Sequence, residues 1–168
     1  MKRLQSRATV LGAALAAVTL LAGGALVHAA QDGPPDAQAL WQHLEEEDYQ
    51  SWPSYAGAPD DLYEGQRPHG ALLRTYANGP AAANPDDLPE GSIVVKENYT
   101  PQRELAAITV MQKSSGYDPA NQDWFWVKYD PDGSVAQENG TELAGKVQSC
   151  IGCHASAAGD DYVYTNDR

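Results

Sequence analysis

The chain has 168 residues and is strongly acidic, because 23 aspartates and glutamates stand against 11 lysines and arginines, a formal net charge of −12. Such a surface repels the phosphates of nucleic acids, which argues against a DNA- or RNA-binding role. It favours a basic partner protein instead, whose encounter with the chain it would speed at low salt. Plain solubility, or life at high salt, explains the same charge equally well.

The first 30 residues have the organisation of a secretory signal peptide. Basic residues at positions 2, 3 and 7 precede an apolar run over residues 8–27, and cleavage is expected after Ala29 or Ala30. The run is also long enough to span a bilayer, so an uncleaved membrane anchor is the alternative. We predict residues 1–30 as a signal peptide, export to the periplasm, and a single domain over residues 31–168. The leader contains no acidic residue, so the exported domain is more acidic still.

The first element of this domain is a predicted helix over residues 37–49, which Asp36 is suited to begin. Repeated prolines and glycines then predict loops over residues 51–70 and 79–91. Between these loops, residues 71–76 are predicted to form a strand.

The second half of the domain is predicted to be mostly strand. Three segments rich in β-branched and aromatic residues are predicted strands, at 92–98, 105–113 and 123–129. The Asp-Pro-Asp-Gly sequence at 130–133 indicates a hairpin that leads into a short strand near 134–137. A helix is predicted over residues 142–156. The pattern predicts an α+β fold, an antiparallel sheet flanked by a few helices.

That last helix carries the most specific motif of the chain. The two cysteines of the protein, Cys150 and Cys153, are spaced C-x-x-C and are followed directly by His154. This is the attachment signature of a c-type haem, in which two thiols bind the haem vinyl groups and the histidine ligates the iron. A redox dithiol, half of a zinc site or a simple disulfide are the alternatives. The predicted export agrees with haem attachment at this motif, which lies near the C-terminus.

The position of the motif restricts the class of cytochrome. Common electron-transfer cytochromes carry the motif near the N-terminus and an axial methionine downstream, whereas residues 155–168 contain no Met, His or Lys. Helical cytochromes c-prime need four long amphipathic helices, which the middle of this chain cannot form. A β-rich cytochrome with an open sixth iron position is therefore expected.

Several segments, taken together and in order, resemble the cytochrome P460 family, which includes the cytochromes c-prime-beta. The matching segments are Pro68-His69-Gly70, Arg74-Thr75-Tyr76-Ala77-Asn78, residues 89–97, 110–113, 116–117, 123–126 and 131–133, Cys150 to His154, and residues 161–164. The resemblance implies a homodimer of mostly antiparallel sheet with a five-coordinate haem c. Members with a lysine-to-haem crosslink oxidise hydroxylamine with nitric oxide as an intermediate, and the c-prime-beta members bind nitric oxide without the crosslink.

The lysine that corresponds to the crosslinking residue of the family is Lys96. Strand alternation places Val94 and Lys96 on one face of the sheet and Ile93, Val95 and Glu97 on the other. An amine that is desolvated beside a haem has a lowered pKa and becomes nucleophilic. A lysine at a sheet edge with its head in water is the alternative.

Other roles follow from the same resemblance. Asp160 and Asp161 are candidate acceptors for the protons that hydroxylamine oxidation releases, or else they form a solvated loop or a helix cap. Arg74 is a candidate partner of a haem propionate or a bound anion, or else an outward-facing strand residue. His69 is interpreted as structural and Lys113 as a surface residue.

Three further side chains concern the iron site. Met111 is expected in the core rather than on the iron, and Tyr99 or Phe125 is expected to shield the distal site. Hydroxylamine oxidation at an open haem iron with a Lys96 crosslink is the leading hypothesis. A nitric oxide binder and a simple electron carrier remain the alternatives, and a basic cytochrome c-like protein is the expected electron acceptor.

Overall fold

The structure, a computed structural model, describes residues 34–157 and 161–164. The predicted signal peptide over residues 1–30 and the candidate Asp160 lie outside the described residues. Among the helices of the described part, none has the length and apolar character needed to cross a membrane.

A six-stranded sheet in which every neighbouring pair is antiparallel organises the domain, and this confirms the predicted α+β fold. The strand order in this sheet is β1-β2-β3-β4-β5-β8, and β6 and β7 form a separate two-stranded sheet. The strands are β1 Tyr63–Glu64, β2 Leu72–Ala77, β3 Ile93–Tyr99, β4 Leu105–Lys113, β5 Trp124–Tyr129, β6 Gln137–Glu138, β7 Thr141–Glu142 and β8 Ala144–Gly145.

The first two helices differ in extent from their predictions. Helix α1 spans Ala37–Glu46, and the Asp36 side chain caps it by accepting a hydrogen bond from the Ala39 N–H at 2.8 Å. It ends before the predicted Tyr49 because Asp48 adopts a left-handed conformation with φ of 46°. Helix α2, Gly79–Ala83, was predicted as loop.

The C-terminal part of the domain also differs from its predictions. Helix α3 spans Gln148–His154 and begins later than predicted, because β7 and β8 occupy the start of the expected helix. In the region predicted as a short strand after the hairpin turn, Val135 forms an isolated bridge with Tyr129, and Gln137 begins β6.

The large sheet buries side chains on both of its faces. One face, here the α1 face, packs Tyr76, Val95 and Val110 against α1. The other, the α3 face, packs Val94, Met111 and Trp126 against α3. The predicted alternation along β3 is confirmed, because neighbouring residues of this strand belong to the two opposite cores.

A buried carboxylate lies at the centre of the α1 face. Glu97 is fully buried, and its Oε1 accepts hydrogen bonds from the Tyr49 hydroxyl at 2.9 Å and from Gln50 Nε2 at 2.6 Å. Its Oε2 accepts from the hydroxyls of Tyr76 at 3.0 Å and Tyr99 at 2.8 Å. Four converging donors offset the loss of water around a carboxylate, which is otherwise very unfavourable in a core.

Alkaline pH is expected to destabilise the fold. Burial, together with the charges of Asp161 and Asp86, raises the pKa of Tyr55 from an ordinary value of 10.0 to about 12. The Tyr55 hydroxyl therefore loses its proton at a lower pH in the unfolded chain than in the folded protein. The free energy of unfolding is unaffected below pH 10 and falls as the pH rises towards 12. The loss is about 1.4 kcal/mol per pH unit for each such tyrosine. Denaturant unfolding at a series of pH values measures it, and Tyr55→Phe should reduce the slope. A pH-independent unfolding free energy above pH 10 would contradict this expectation.

Candidate functional site: a cavity between the sheet and the C-terminal helix

A cavity with a largely apolar wall lies on the α3 face of the sheet. The wall contains Val94, Lys96, Thr109, Met111 and Trp126 from the strands, and Cys150 and His154 from α3. The remaining described wall residues are mostly aromatic or small: Tyr55, Ala56, Ala58, Tyr63, His69, Thr75, Val110, Val127, Val163 and Tyr164. Residues of the C-x-x-C-H motif and the lysine that the family resemblance indicates therefore line the same cavity.

Lys96 lies in the middle of β3 and faces this cavity. Its register partners are Thr75 on β2 and Thr109 on β4, and both threonines also line the cavity. Lys96 is therefore flanked by two strands, which contradicts the alternative of a lysine at a sheet edge.

The C-x-x-C-H motif occupies the C-terminal part of α3. Cys150 and Cys153 are both free thiols, and their i, i+3 spacing on the helix makes them neighbours along its surface. Cys150 is half-buried in the cavity wall, and this burial raises the pKa of its thiol. Cys153 is exposed.

The imidazole of His154 is held by the chain segment that follows α3. Its Nδ1 lies 2.7 Å from the backbone carbonyl oxygen of Tyr162. A carbonyl oxygen only accepts hydrogen bonds, so Nδ1 carries the proton and Nε2 carries the lone pair that ligates a metal. Tyr162 adopts a positive φ of 61°, and such a conformation persists where surrounding contacts fix it. His154 thus has the tautomer and the backbone support of a proximal haem ligand.

Three rings surround His154. The ring centres of Trp126, Tyr164 and His69 lie 4.7, 5.6 and 6.1 Å from that of His154. The interpretation of His69 as merely structural is therefore incomplete, because this side chain is part of the cavity wall.

A haem fits the chemistry of these walls. The indole Nε1 of Trp126 is buried and has no hydrogen-bond partner among the described residues. An unsatisfied donor of this kind is unfavourable unless a bound group supplies the acceptor, and a haem offers propionate oxygens. The two thiols, the oriented imidazole and this donor together fit a c-type haem.

Asp161 does not point its carboxylate into the cavity, in contrast to the prediction of a distal proton acceptor. Its Oδ1 is bound by Lys113 Nζ, and its Oδ2 accepts a hydrogen bond from the Leu88 N–H at 2.8 Å. The backbone oxygen of Asp161 also accepts a hydrogen bond from Trp124 Nε1 at 2.9 Å. Lys113 was predicted at the surface, but its side chain is only 15% exposed because this ion pair covers it.

Three further predicted site residues lie on the opposite side of the sheet. Arg74 packs over the ring of Tyr76, with 5.0 Å between the guanidinium carbon and the ring centre, and Glu97 is its register partner. It belongs to the α1 face and not to the cavity wall, so the prediction of a propionate partner is not supported. Tyr99 and Phe125 also lie on the α1 face and cannot shield the cavity.

The fold and the cavity define a β-rich protein with a single C-terminal site for a c-type haem. The family model described as Cytochrome P460 matches residues 46–165, which is more than half of the chain. The chain therefore belongs to the cytochrome P460 family and is a c-type haem protein. No curated protein sequence matches it.

Proposed function

We propose that this protein is a periplasmic haem c enzyme that oxidises hydroxylamine, with nitric oxide as an intermediate, and that Lys96 is covalently joined to its haem. The observation that carries the proposal is that Lys96 lines the same cavity as Cys150 and His154. A homodimer, as in the family, is part of the proposal, and light scattering on the purified protein tests it.

The chain provides the groups that hold the cofactor. Cys150 and Cys153 would form the thioethers, and His154 would ligate the iron through Nε2. The haem would supply a coordination site for a small ligand and a redox centre that accepts its electrons. The wall is largely apolar and aromatic, which favours small ligands.

Lys96 is suited to the crosslink by its position. The strands that hold Thr75 and Thr109 fix the backbone on both sides of it, so its amine approaches the cofactor from the sheet. The neutral form of such an amine is the nucleophile.

Oxidation of hydroxylamine as far as the nitric oxide intermediate removes three electrons and three protons. The electrons pass to an external acceptor, for which a basic cytochrome c-like protein is proposed because the net charge of the chain is −12. Asp160 is the proposed acceptor of protons, since both oxygens of the Asp161 carboxylate are already engaged.

The decisive experiment compares the haem-loaded wild type with Lys96→Met. We expect a strongly red-shifted ferrous Soret band and a haem-bridged peptide containing Lys96 in the wild type, by absorption and denaturing mass spectrometry. Lys96→Met should lose both signals and, with them, hydroxylamine turnover, while keeping the haem on its two cysteines.

Lys128→Met is the matched control for this substitution. Lys128 pairs with Thr109 on the same sheet face but is not part of the cavity wall, so its loss should change neither signal. A wild-type haem held only by Cys150 and Cys153, with an ordinary spectrum, would overturn the crosslinked enzyme and leave nitric oxide binding as the better account.

A further inference from the structure

The hydrogen-bonding side chains of the α3 face lie in one row across the sheet. The strand register places Thr75 of β2, Lys96 of β3 and Thr109 of β4 side by side, and all three line the cavity. The next row on the same face is apolar or aromatic: Ala77, Val94, Met111 and Trp126. A small polar guest on this part of the wall therefore finds its hydrogen-bond partners in the row that contains Lys96.

Three of the five hydroxyl groups in the cavity wall donate to backbone carbonyl oxygens. The Tyr55 hydroxyl donates to the Pro85 oxygen at 3.0 Å, and the Tyr164 hydroxyl donates to a backbone oxygen of α3 at 2.9 Å. The Thr109 hydroxyl donates to the Lys96 oxygen at 3.3 Å. These three protons are already used and are not available to a guest.

The other two hydroxyls, those of Thr75 and Tyr63, bond to each other. Their oxygens are 2.6 Å apart. Two hydroxyls carry two protons, and the bond between them uses one. A phenol is a stronger acid than an aliphatic alcohol and hence the better donor, so Tyr63 donates and Thr75 retains its own proton. Thr75 is only 4% exposed, and a buried donor needs an acceptor inside the protein.

The position of Thr75 directs this proton to the site of the proposed chemistry. Thr75 is directly opposite Lys96 on the neighbouring antiparallel strand, and side chains at such positions have their Cβ atoms about 5 Å apart. Strand β2 is itself paired on both sides, with β1 and with β3, so its backbone is held in place. In a largely apolar wall, one fixed donor is enough to orient a small polar guest.

We propose that the Thr75 hydroxyl, oriented by Tyr63, donates a hydrogen bond to the oxygen of hydroxylamine in the cavity. Thr75 binds the substrate, whereas Tyr63 is a positioning residue because it acts through Thr75. The contact selects one orientation of the substrate and transfers no proton. The inference rests on the proposed function for the substrate and the haem, but not on the Lys96 crosslink.

The kinetic test uses substitutions that remove or retain the hydroxyl. Thr75→Val keeps the shape of the side chain without its donor, so the KM for hydroxylamine should rise about tenfold while kcat changes less. Thr75→Ser retains a hydroxyl and should restore the wild-type KM, and Tyr63→Phe should give an intermediate value. Thr141→Val is the matched control, because Thr141 is exposed on β7 outside the cavity wall.

A second measurement does not depend on turnover. Carbon monoxide bound to the ferrous, haem-loaded protein presents an oxygen as its outer atom, and a hydrogen bond to that oxygen lowers the C–O stretching frequency. By infrared spectroscopy, we expect the frequency to rise in Thr75→Val, to rise less in Tyr63→Phe and to keep its wild-type value in Thr75→Ser. The same frequency in Thr75→Val and the wild type would overturn the proposal.

The outcomes separate this inference from the proposed function. A shifted C–O frequency in a protein that does not turn over hydroxylamine would overturn the enzyme and retain Thr75 as a donor in the cavity. A changed reduction potential with an unchanged C–O frequency would assign the hydroxyl to a haem propionate and overturn the proposal. If Thr75→Val cannot be purified with its haem, the comparison of Tyr63→Phe with Thr75→Ser decides.

Discussion

Replacing Glu97 by leucine should lower the free energy of unfolding by about 3–5 kcal/mol, among the largest effects of any single substitution in the domain. The leucine fills the space but leaves four donors in the α1 face without an acceptor, namely the hydroxyls of Tyr49, Tyr76 and Tyr99 and the amide of Gln50. Glu97→Gln should have a smaller effect, about 1–2 kcal/mol, because one amide oxygen remains. Denaturant unfolding of the haem-loaded protein measures both.

Glu138→Gln provides the matched control for this series. Glu138 is exposed on β6, so the same change of charge there should alter stability by no more than about 0.5 kcal/mol. Equal losses of unfolding free energy in Glu97→Gln and Glu138→Gln would show that the buried Glu97 and its four donors contribute no more to stability than a charge on the surface.

The strands of the sheet could be predicted because the residue types that favour a strand lie within the strand itself. The segment over β4 was predicted with its observed bounds, Leu105–Lys113, and β3 and β5 were each predicted to within a residue. Runs of β-branched and aromatic residues bounded by turn residues identify buried strands without any knowledge of their partners.

Period-two alternation along β3 also bears on which residues reach the site. It correctly places Lys96 with Val94, and the same count places Tyr99 with Glu97 on the opposite face, away from the cavity. Arg74 could be assigned in the same way only once the register of β2 against β3 was known, and this register is a tertiary property.

The positions of Lys113, Asp161 and His69 could not be derived from local patterns. The Lys113–Asp161 pair joins residues 48 apart in sequence, and His69 meets Asn98 across 29 residues. The one local signal at His69 was the glycine that follows it, because a glycine at a loop-to-strand corner indicates a close backbone approach.

Asp161→Asn should destabilise the protein by about 3 kcal/mol and also disturb His154, the proposed proximal haem ligand. The amide keeps an oxygen for the Leu88 N–H but presents an N–H₂ group to Lys113, whose largely buried charge then has no counter-charge. The backbone of the next residue, Tyr162, is held at a positive φ and accepts the hydrogen bond from His154. Weakening this bond makes the imidazole a poorer donor to iron, so the reduction potential should become more positive.

Asp61→Asn is the matched control, because it removes the same charge from an ion pair with Arg103 that is exposed. The side chains of Arg103 and Asp61 are 62% and 85% exposed, so solvent screens the pair and its loss should alter stability by less than about 1 kcal/mol. Denaturant unfolding and potentiometry on the haem-loaded proteins measure both properties. If Asp161→Asn loses stability but keeps its reduction potential, Asp161 contributes to folding alone. A shifted reduction potential would identify Asp161 as a residue that positions His154.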